Sequence, residues 1–184
     1  MLGSLLVRGL VGPLFIGHGA QKLFGSFGGH GLEGTSGFFE SIGLRPGRRH
    51  ATAAGVTELS AGTMLTLGLA TPVAASMVTG TMVTAIRKVH LSAGPWVTNG
   101  GWEYNAVLIA AVTALAEAGP GPLSVDASRF PHFHGPALAA LGLAAGVAGS
   151  YLATHPALNP PGPAPDEGEG EVAGDPAMQG AAPG

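Results

Sequence analysis

Residues 51–91 decide the fold of this chain: ATAAGVTELSAGTMLTLGLATPVAASMVTGTMVTAIRKVHL. We interpret them as two apolar helices that meet at Thr71-Pro72, because proline is compatible with the first turn of a helix. The stretch contains one acid, Glu58, before it ends in a basic cluster formed by Arg87, Lys88 and His90. A helix that is hydrophobic on every side is buried in a large core or spans a membrane. In a chain of 184 residues, this pattern indicates a membrane protein.

The composition of the whole chain indicates the same class. Hydrophobic residues make up 46% of the sequence and charged residues 10%, whereas about a quarter of the residues of a soluble domain are charged. The eight Lys and Arg residues are too few and too scattered to predict a nucleic-acid surface. The absence of Cys excludes disulfides and thiol catalysis within the chain. The apolar N-terminus has no basic residue before Arg8, so we expect a retained helix rather than a cleaved signal peptide.

We predict an all-α membrane helical bundle with a four-helix core and a fifth transmembrane helix. The helices are expected at about residues 3–24, 50–69, 72–91, 102–118 and 135–153, which are long enough for a hydrocarbon core of about 30 Å. The domains are then a membrane core at 1–130, an additional helix at 131–155 and a disordered Pro/Gly-rich acidic tail at 156–184. Spacings of seven and four predict close helix contacts at three pairs of small residues, Gly55 with Gly62, Gly142 with Gly146, and Ala145 with Gly149.

The distribution of basic residues predicts the orientation. We define side B as the face that holds the loop after the first helix, and side A as the opposite face. Side B carries most of the basic residues, namely Lys22, Arg45, Arg48, Arg49, Arg87 and Lys88, whereas side A has only Arg8 and Arg129. We expect a protein of the cell (inner) membrane, and the positive-inside rule places its side B in the cytoplasm. Five spans then put the N-terminus outside and the acidic tail in the cytoplasm.

Ionisable residues within the predicted spans form a larger group near side B, which contains His18, Lys22, Glu58, Arg87, His90 and Glu103. A charge within a span is costly, so such residues usually face the bundle interior and have a partner. Proton carriers beside cations can bind an anion or the carbonyl oxygens of a quinone head group, and can relay protons. The alternative is a set of structural ion pairs that fixes helix register. Arg87 and Lys88 are also ordinary topology markers at a cytoplasmic helix end.

A smaller polar group lies near side A. Arg8 and Glu117 both fall close to that end of their helices, and Asp126 follows in the next loop. We predict a structural ion pair between Arg8 and either Glu117 or Asp126. We predict no metal site, since the pair His132 and His134 lacks a nearby third ligand.

Several motifs occur in one order along the chain. They are Arg8 followed by Gly17-His18-Gly19-xx-Lys22-Leu23-Phe24-Gly25, then Glu58-xxx-Gly62-xx-Leu65-xx-Gly68, Arg87-Lys88-Val89-His90, Asn99-Gly100-Gly101-Trp102-Glu103-Tyr104-Asn105, and Gly119-Pro120-Gly121-Pro122-Leu123-Ser124-Val125-Asp126. Together they resemble the DoxX family of small bacterial multi-pass membrane proteins. The resemblance covers about residues 3–130 and implies a four-helix membrane core. It also implies a link to respiratory redox chemistry, sulfur handling or oxidative stress, without establishing catalysis.

We therefore expect the membrane subunit of a redox complex, with a pocket near the cytoplasmic face and a quinone as the candidate ligand. Glu58 and His18 would carry protons, and Lys22 and Arg87 would orient the ligand. No covalently bound cofactor is expected. The expected partners are the lipid bilayer and a soluble redox enzyme, with homo-oligomerisation left open and no nucleic acid. The alternatives are a non-catalytic scaffold whose acidic tail recruits a soluble protein, and a small-solute transporter, for which broken helices and repeats are lacking.

Overall fold

The computed structural model describes residues 2–161, and these residues form an all-α fold. This part of the chain contains seven α-helices and no β-strand. The helices are α1 (Leu2–Phe24), α2 (Gly31–Ser41), α3 (Gly47–Leu67), α4 (Thr71–Ala85), α5 (Glu103–Ala118), α6 (Val125–Arg129) and α7 (Pro136–Ala153). The five long helices expected from the sequence are all present, and the short amphipathic α2 lies between the first two of them.

The end of α4 differs most from the expectation. The predicted helix continues to residue 91, but the α-helix stops at Ala85 and is followed by a π-helical turn over Ile86–His90. A short 3₁₀ turn, Leu91–Ala93, comes next. A π turn has a wider repeat than an α-helix and often occurs at functional sites. The basic residues of this segment therefore point in directions that α-helical spacing does not predict.

Glycines bring α1 and α3 into backbone contact. A Cβ atom at Gly62 would lie 2.5 Å from the carbonyl oxygen of Gly12, and one at Gly19 would lie 2.7 Å from the carbonyl oxygen of Gly55. No side chain fits at such distances, so these positions accept only glycine without a shift of the helices. The predicted packing face on Gly55 and Gly62 is present, and its partner is α1.

A second glycine contact holds α7 against α4. A Cβ atom at Gly142 would lie 2.9 Å from the carbonyl oxygen of Pro72, and one at Gly146 would lie 2.5 Å from that of Ser76. Gly149, in contrast, has no atom within 4 Å of its Cβ position. The predicted contact at Gly142 and Gly146 is thus formed, whereas the predicted pair that includes Gly149 does not pack.

The apolar core lies where α1, α3, α4 and α5 meet. Its fully buried members include Leu65 of α3, Val78 of α4 and Val112 of α5, and Phe15 of α1 packs with them. Outside this core, leucines of α1 are exposed, among them Leu2, Leu5 and Leu10.

By length and apolar composition together, two helices are suited to cross a membrane, Leu2–Phe24 and Pro136–Ala153. The α4 and α5 helices are shorter in strict α-helical geometry, with 15 and 16 residues. The α3 helix is longer, but Arg48, Arg49 and Glu58 make it more polar. The five membrane spans therefore remain a prediction.

The predicted acidic tail is described only at its beginning. Residues 156–161 follow α7 and include the 3₁₀ turn Pro156–Leu158. The side chain of Asn159 accepts a hydrogen bond from the backbone N–H of Arg45 at 3.2 Å and donates to the carbonyl oxygens of Ala153 and His155. The chain is thus anchored near the start of α3. The remainder of the predicted tail, residues 162–184, lies outside the described residues.

Candidate ligand-binding site

A cavity of about 1010 Å³ lies between α1, α3, α4 and α5, and α7 forms part of its wall. Most of the wall is apolar, and includes Leu10 and Phe15 of α1 and Leu108 of α5. The ionisable and amide side chains on the wall lie mostly at helix ends near side B, and they are His18, Lys22, His50, Glu58, Lys88, His90, Tyr104 and Asn105. Hydroxyl groups also line the cavity, those of Thr57, Ser76, Thr81, Thr84, Ser150 and Thr154. The cavity therefore has a long apolar part and a more polar end, which includes His18, Lys22 and Glu58.

An ion pair between Lys22 and Glu58 is the centre of the polar end. The Nζ atom of Lys22 donates to Oε2 of Glu58 at 2.6 Å. The side chain of Glu58 is 5% exposed and that of Lys22 is 25% exposed. The close approach of α1 and α3 at Gly19 and Gly55 positions this pair, because it brings Lys22 within reach of the opposite helix.

A buried carboxylate needs a partner of opposite charge, and Lys22 supplies it. An ammonium group has three N–H donors, and Glu58 uses one of them here. Since both side chains line the cavity, the remaining donors of Lys22 are available to an acceptor atom of a ligand.

Two histidines on the wall have defined hydrogen-bonding roles. Nδ1 of His90 lies 2.7 Å from the carbonyl oxygen of Gly100, which can only accept, so Nδ1 carries the proton. Nδ1 of His18 lies 3.1 Å from Oε1 of Gln21, whose Nε2 donates to the carbonyl oxygen of Phe27. In the neutral form, each ring therefore presents an unprotonated Nε2, which is a proton acceptor.

The structure separates the two neighbouring basic residues of α4. Arg87 donates to Oγ1 of Thr154 at 3.0 Å and to Oγ of Ser150 at 3.3 Å, and its guanidinium lies 3.6 Å from the ring centroid of Tyr151. These partners all belong to α7 or its end, and Arg87 is absent from the cavity wall. The structure therefore places Arg87 against α7 and outside the cavity lining, whereas Lys88 faces the cavity. The role of Arg87 in orienting a ligand stays a prediction.

Glu103 also lies away from the cavity. Its Oε1 accepts a hydrogen bond from the backbone N–H of Val97 at 2.7 Å, which stabilises the connection between α4 and α5. Asn105, two residues later, lines the cavity and donates from Nδ2 to the sulfur of Met82 at 3.3 Å. Glu103 therefore lies at the first turn of α5 and outside the cavity lining, whereas Asn105 lies on the cavity wall.

The polar group at side A has different bonds from those predicted. The guanidinium of Arg8 is buried and donates to four backbone carbonyl oxygens at 2.8–3.0 Å, those of Leu65, Thr66, Pro120 and Leu123. Asp126 is buried nearby and accepts from the N–H groups of Ala70 and Thr71 and from the hydroxyl of Thr71. Among residues 2–161, neither the Arg8–Glu117 nor the Arg8–Asp126 ion pair forms. Glu117 is exposed at the surface.

The bonds of Arg8 and Asp126 have a structural explanation. Both side chains surround the turn between α3 and α4, where helix ends leave carbonyl and N–H groups without partners. Arg8 satisfies the carbonyl end of α3, and Asp126 satisfies the N–H end of α4. These residues hold the helix connections at side A and lie away from the polar end of the cavity.

Lys88 and His50 line the cavity, although sequence reasoning does not assign them to the site. From the sequence, Lys88 is interpreted only as a topology marker, and His50 only as the beginning of a helix. The ring of His50 lines the cavity, and its buried Nε2 has no hydrogen-bond partner among the described residues. Their position in a basic membrane-side cluster offered no signal that distinguishes them from Arg48 and Arg49. No group of three His, Asp or Glu side chains with metal-binding geometry occurs in residues 2–161.

The family model described as DoxX matches residues 3–91, which contain α1 to α4 and the Lys22–Glu58 pair. A protein of Bacillus subtilis (strain 168), named "Putative oxidoreductase CatD", is 35% identical over 114 residues, which cover 62% of this chain and 78% of that protein.

The chain belongs to the DoxX family. DoxX proteins are membrane proteins, so a lipid bilayer is the environment of this bundle. The matched region ends at Leu91, so α5, α6 and α7 lie beyond it. No solved structure gives a significant match to the chain.

Proposed function

We propose that this DoxX protein is the membrane subunit of a quinone-linked redox complex, and that its cavity binds the quinone head group. The cavity itself is the observation that carries the proposal. Its volume of about 1010 Å³ is at the upper end of the range for small-molecule sites, which is about 300–1,000 Å³. Its apolar length suits the hydrophobic part of a membrane-soluble molecule, and its polar end suits carbonyl oxygens.

The polar end supplies the groups that quinone chemistry requires. Reduction of a quinone to a quinol consumes two electrons and two protons. Lys22 can donate a hydrogen bond to one carbonyl oxygen of the head group, and Nε2 of His18 and Nε2 of His90 can each bind and pass on a proton. A soluble redox enzyme would supply the electrons. The word oxidoreductase in the name of the Bacillus subtilis relative agrees with this class of function.

We further propose that α1, α3, α4, α5 and α7 all span the membrane, with the polar end of the cavity near the cytoplasm. The helical path of α4 continues through the turns at Ile86–His90 and Leu91–Ala93, which lengthens it to about the thickness of a bilayer. The basic residues gather where the polar end lies, which supports a cytoplasmic location.

The test is a titration of a soluble quinone analogue into the purified protein in lipid nanodiscs. We expect saturable binding to the wild type, and a dissociation constant at least tenfold higher for Glu58→Gln and for His18→Ala. In Glu58→Gln, the ammonium of Lys22 loses the carboxylate that holds it against the cavity wall. The matched control is Glu117→Gln, the same change at an exposed carboxylate, which should bind within twofold of the wild type. Absence of saturable binding to the wild type would refute the proposal.

As a second proposal, the protein is a non-catalytic scaffold whose acidic C-terminal segment recruits a soluble protein. Asn159 accepts a hydrogen bond from Arg45 at side B, which is the predicted cytoplasmic face, and this segment follows Asn159 in the sequence. Removal of residues 162–184 tests it. Loss of cellular function on that deletion, with quinone binding intact and with Glu58→Gln fully functional, would favour the scaffold over the quinone site.

A further inference from the structure

The charges on the cavity wall do not balance. Among its lining residues, Lys22 and Lys88 are cations and Glu58 is the single carboxylate. Nζ of Lys22 forms an ion pair with Oε2 of this carboxylate at 2.6 Å. With the histidines neutral, the cavity therefore carries one positive charge in excess, and Lys88 carries it.

Lys88 has no carboxylate within ion-pair distance in the described part of the chain. Its neighbour Arg87 cannot take over its position, because the bonds to Ser150 and Thr154 and the stacking on Tyr151 turn that side chain toward α7. Both residues belong to the π-helical turn over Ile86–His90, and only Lys88 lies on the cavity wall. The docking of α7 therefore determines which of the two cations a ligand meets.

A partly buried cation without a counter-ion is an unfavourable arrangement that a bound anion relieves. Hydrogen bonds in which both groups are charged are roughly twice as strong as those between neutral groups. The gain is larger where water is scarce, as in a half-enclosed cavity within a bilayer. A ligand with a negatively charged head group would therefore gain more binding free energy from Lys88 than a neutral ring would.

We propose that Lys88 is the charge-selecting residue of this cavity, and that the site prefers an anionic head group, such as the ionised enol of a hydroxyquinone, over its neutral counterpart. This inference rests on the proposed quinone-type function and narrows its ligand class. In the bound state, the ionised oxygen contacts the ammonium of Lys88, and the hydrogen bond from Lys22 holds a carbonyl oxygen of the same ring.

The experiment compares two rings of nearly equal size. The probes are 1,4-naphthoquinone, which is neutral, and 2-hydroxy-1,4-naphthoquinone, which is ionised at pH 7. Both are titrated into the full-length protein in nanodiscs of zwitterionic lipid. We expect the wild type to bind the ionised ring about tenfold more tightly, which corresponds to about 1.4 kcal/mol.

Three variants assign this preference to a residue. Lys88→Met keeps the apolar stem and should reduce the preference to about one, with the affinity for the neutral ring within twofold of the wild type. Lys88→Arg keeps the charge and should retain the preference. Arg48→Gln removes a charge from an exposed residue of the same membrane side, and should leave the preference unchanged if the effect is local rather than due to surface potential. Thermal unfolding of each variant confirms that it is folded, and Lys88→Gln replaces Lys88→Met if that variant is not.

The outcomes separate this inference from the function on which it rests. Equal affinity of the wild type for both rings, or a preference that survives removal of the Lys88 charge, overturns the role of Lys88 and leaves the quinone site standing. Failure of the wild type to bind either ring overturns both.

Discussion

Replacement of Lys22 by methionine should destabilise the protein more than replacement of its partner Glu58 by glutamine. The two sides of the ion pair differ in exposure, since the side chain of Glu58 is 5% exposed and that of Lys22 is 25% exposed. Lys22→Met leaves a carboxylate buried without its counter-ion. Glu58→Gln leaves an ammonium group that can turn toward the open part of the cavity and be hydrated. The structure therefore predicts an asymmetry that a fully buried pair would not show.

The magnitudes follow from the burial. Removal of one partner of a buried ion pair costs about 3–5 kcal/mol. We expect about 2–4 kcal/mol for Lys22→Met, because partial exposure of the site weakens the penalty, and about 1 kcal/mol for Glu58→Gln. The double variant Lys22→Met/Glu58→Gln should be less destabilised than the two single changes together, with a coupling energy of about 1–2 kcal/mol.

The assay is equilibrium unfolding in detergent micelles, followed by far-ultraviolet circular dichroism. Lys88→Met is the matched control, since it makes the same substitution at a cavity lysine that has no carboxylate partner among the described residues. It should change the free energy of unfolding by less than about 1 kcal/mol. The reasoning is refuted if the two single variants are equally stable, or if their effects simply add in the double variant.

Two further predictions concern the helix contacts and the side-A arginine. Gly62→Ala should lower the free energy of unfolding by about 1–3 kcal/mol, because its Cβ atom would lie 2.5 Å from the backbone of α1. The control variant Gly149→Ala has open space at its Cβ position and should not change the free energy of unfolding. Equal effects of the two variants in a denaturant titration would contradict the helix packing. Arg8→Lys should lower the free energy of unfolding by about 2–3 kcal/mol, because an ammonium group cannot reach four carbonyl oxygens on separate segments. The control variant Arg129→Lys should have no measurable effect. A thermal unfolding curve of Arg8→Lys equal to that of the wild type would exclude this role of Arg8.

Much of the helical architecture follows from the amino-acid sequence. Long apolar runs interrupted by Gly- and Pro-rich connections predict the five long helices, since such residues satisfy their backbone hydrogen bonds only within helices in an apolar environment. Gly55 and Gly62 could be assigned to a packing face because residues seven apart lie on one side of a helix. The motif order along the chain was sufficient to predict the family, and the matches to the family model and to the Bacillus subtilis protein confirm it.

The prediction of individual polar contacts was less successful, and the errors have a common cause. The sequence predicts an ion pair between Arg8 and a carboxylate, because opposite charges near one membrane face attract each other. The structure instead places it at a helix end, where several carbonyl oxygens without helical partners converge. The position of a residue in the sequence gives its depth along a membrane span. The hydrogen-bond partners of its side chain also depend on the rotation of each helix about its axis and on the path of the loops.

The amino-acid sequence alone determined that this protein is helical, that its environment is a membrane, and that ionisable residues collect near its basic side. These properties depend on composition and on local spacing, which are read directly along the chain. Only the tertiary structure decided which cation faces the cavity. That choice depends on Ser150 and Thr154, more than sixty positions away from Arg87, whose hydroxyl groups hold its guanidinium and thereby leave Lys88 on the cavity wall. Contacts between residues so distant in sequence form only when the helices pack.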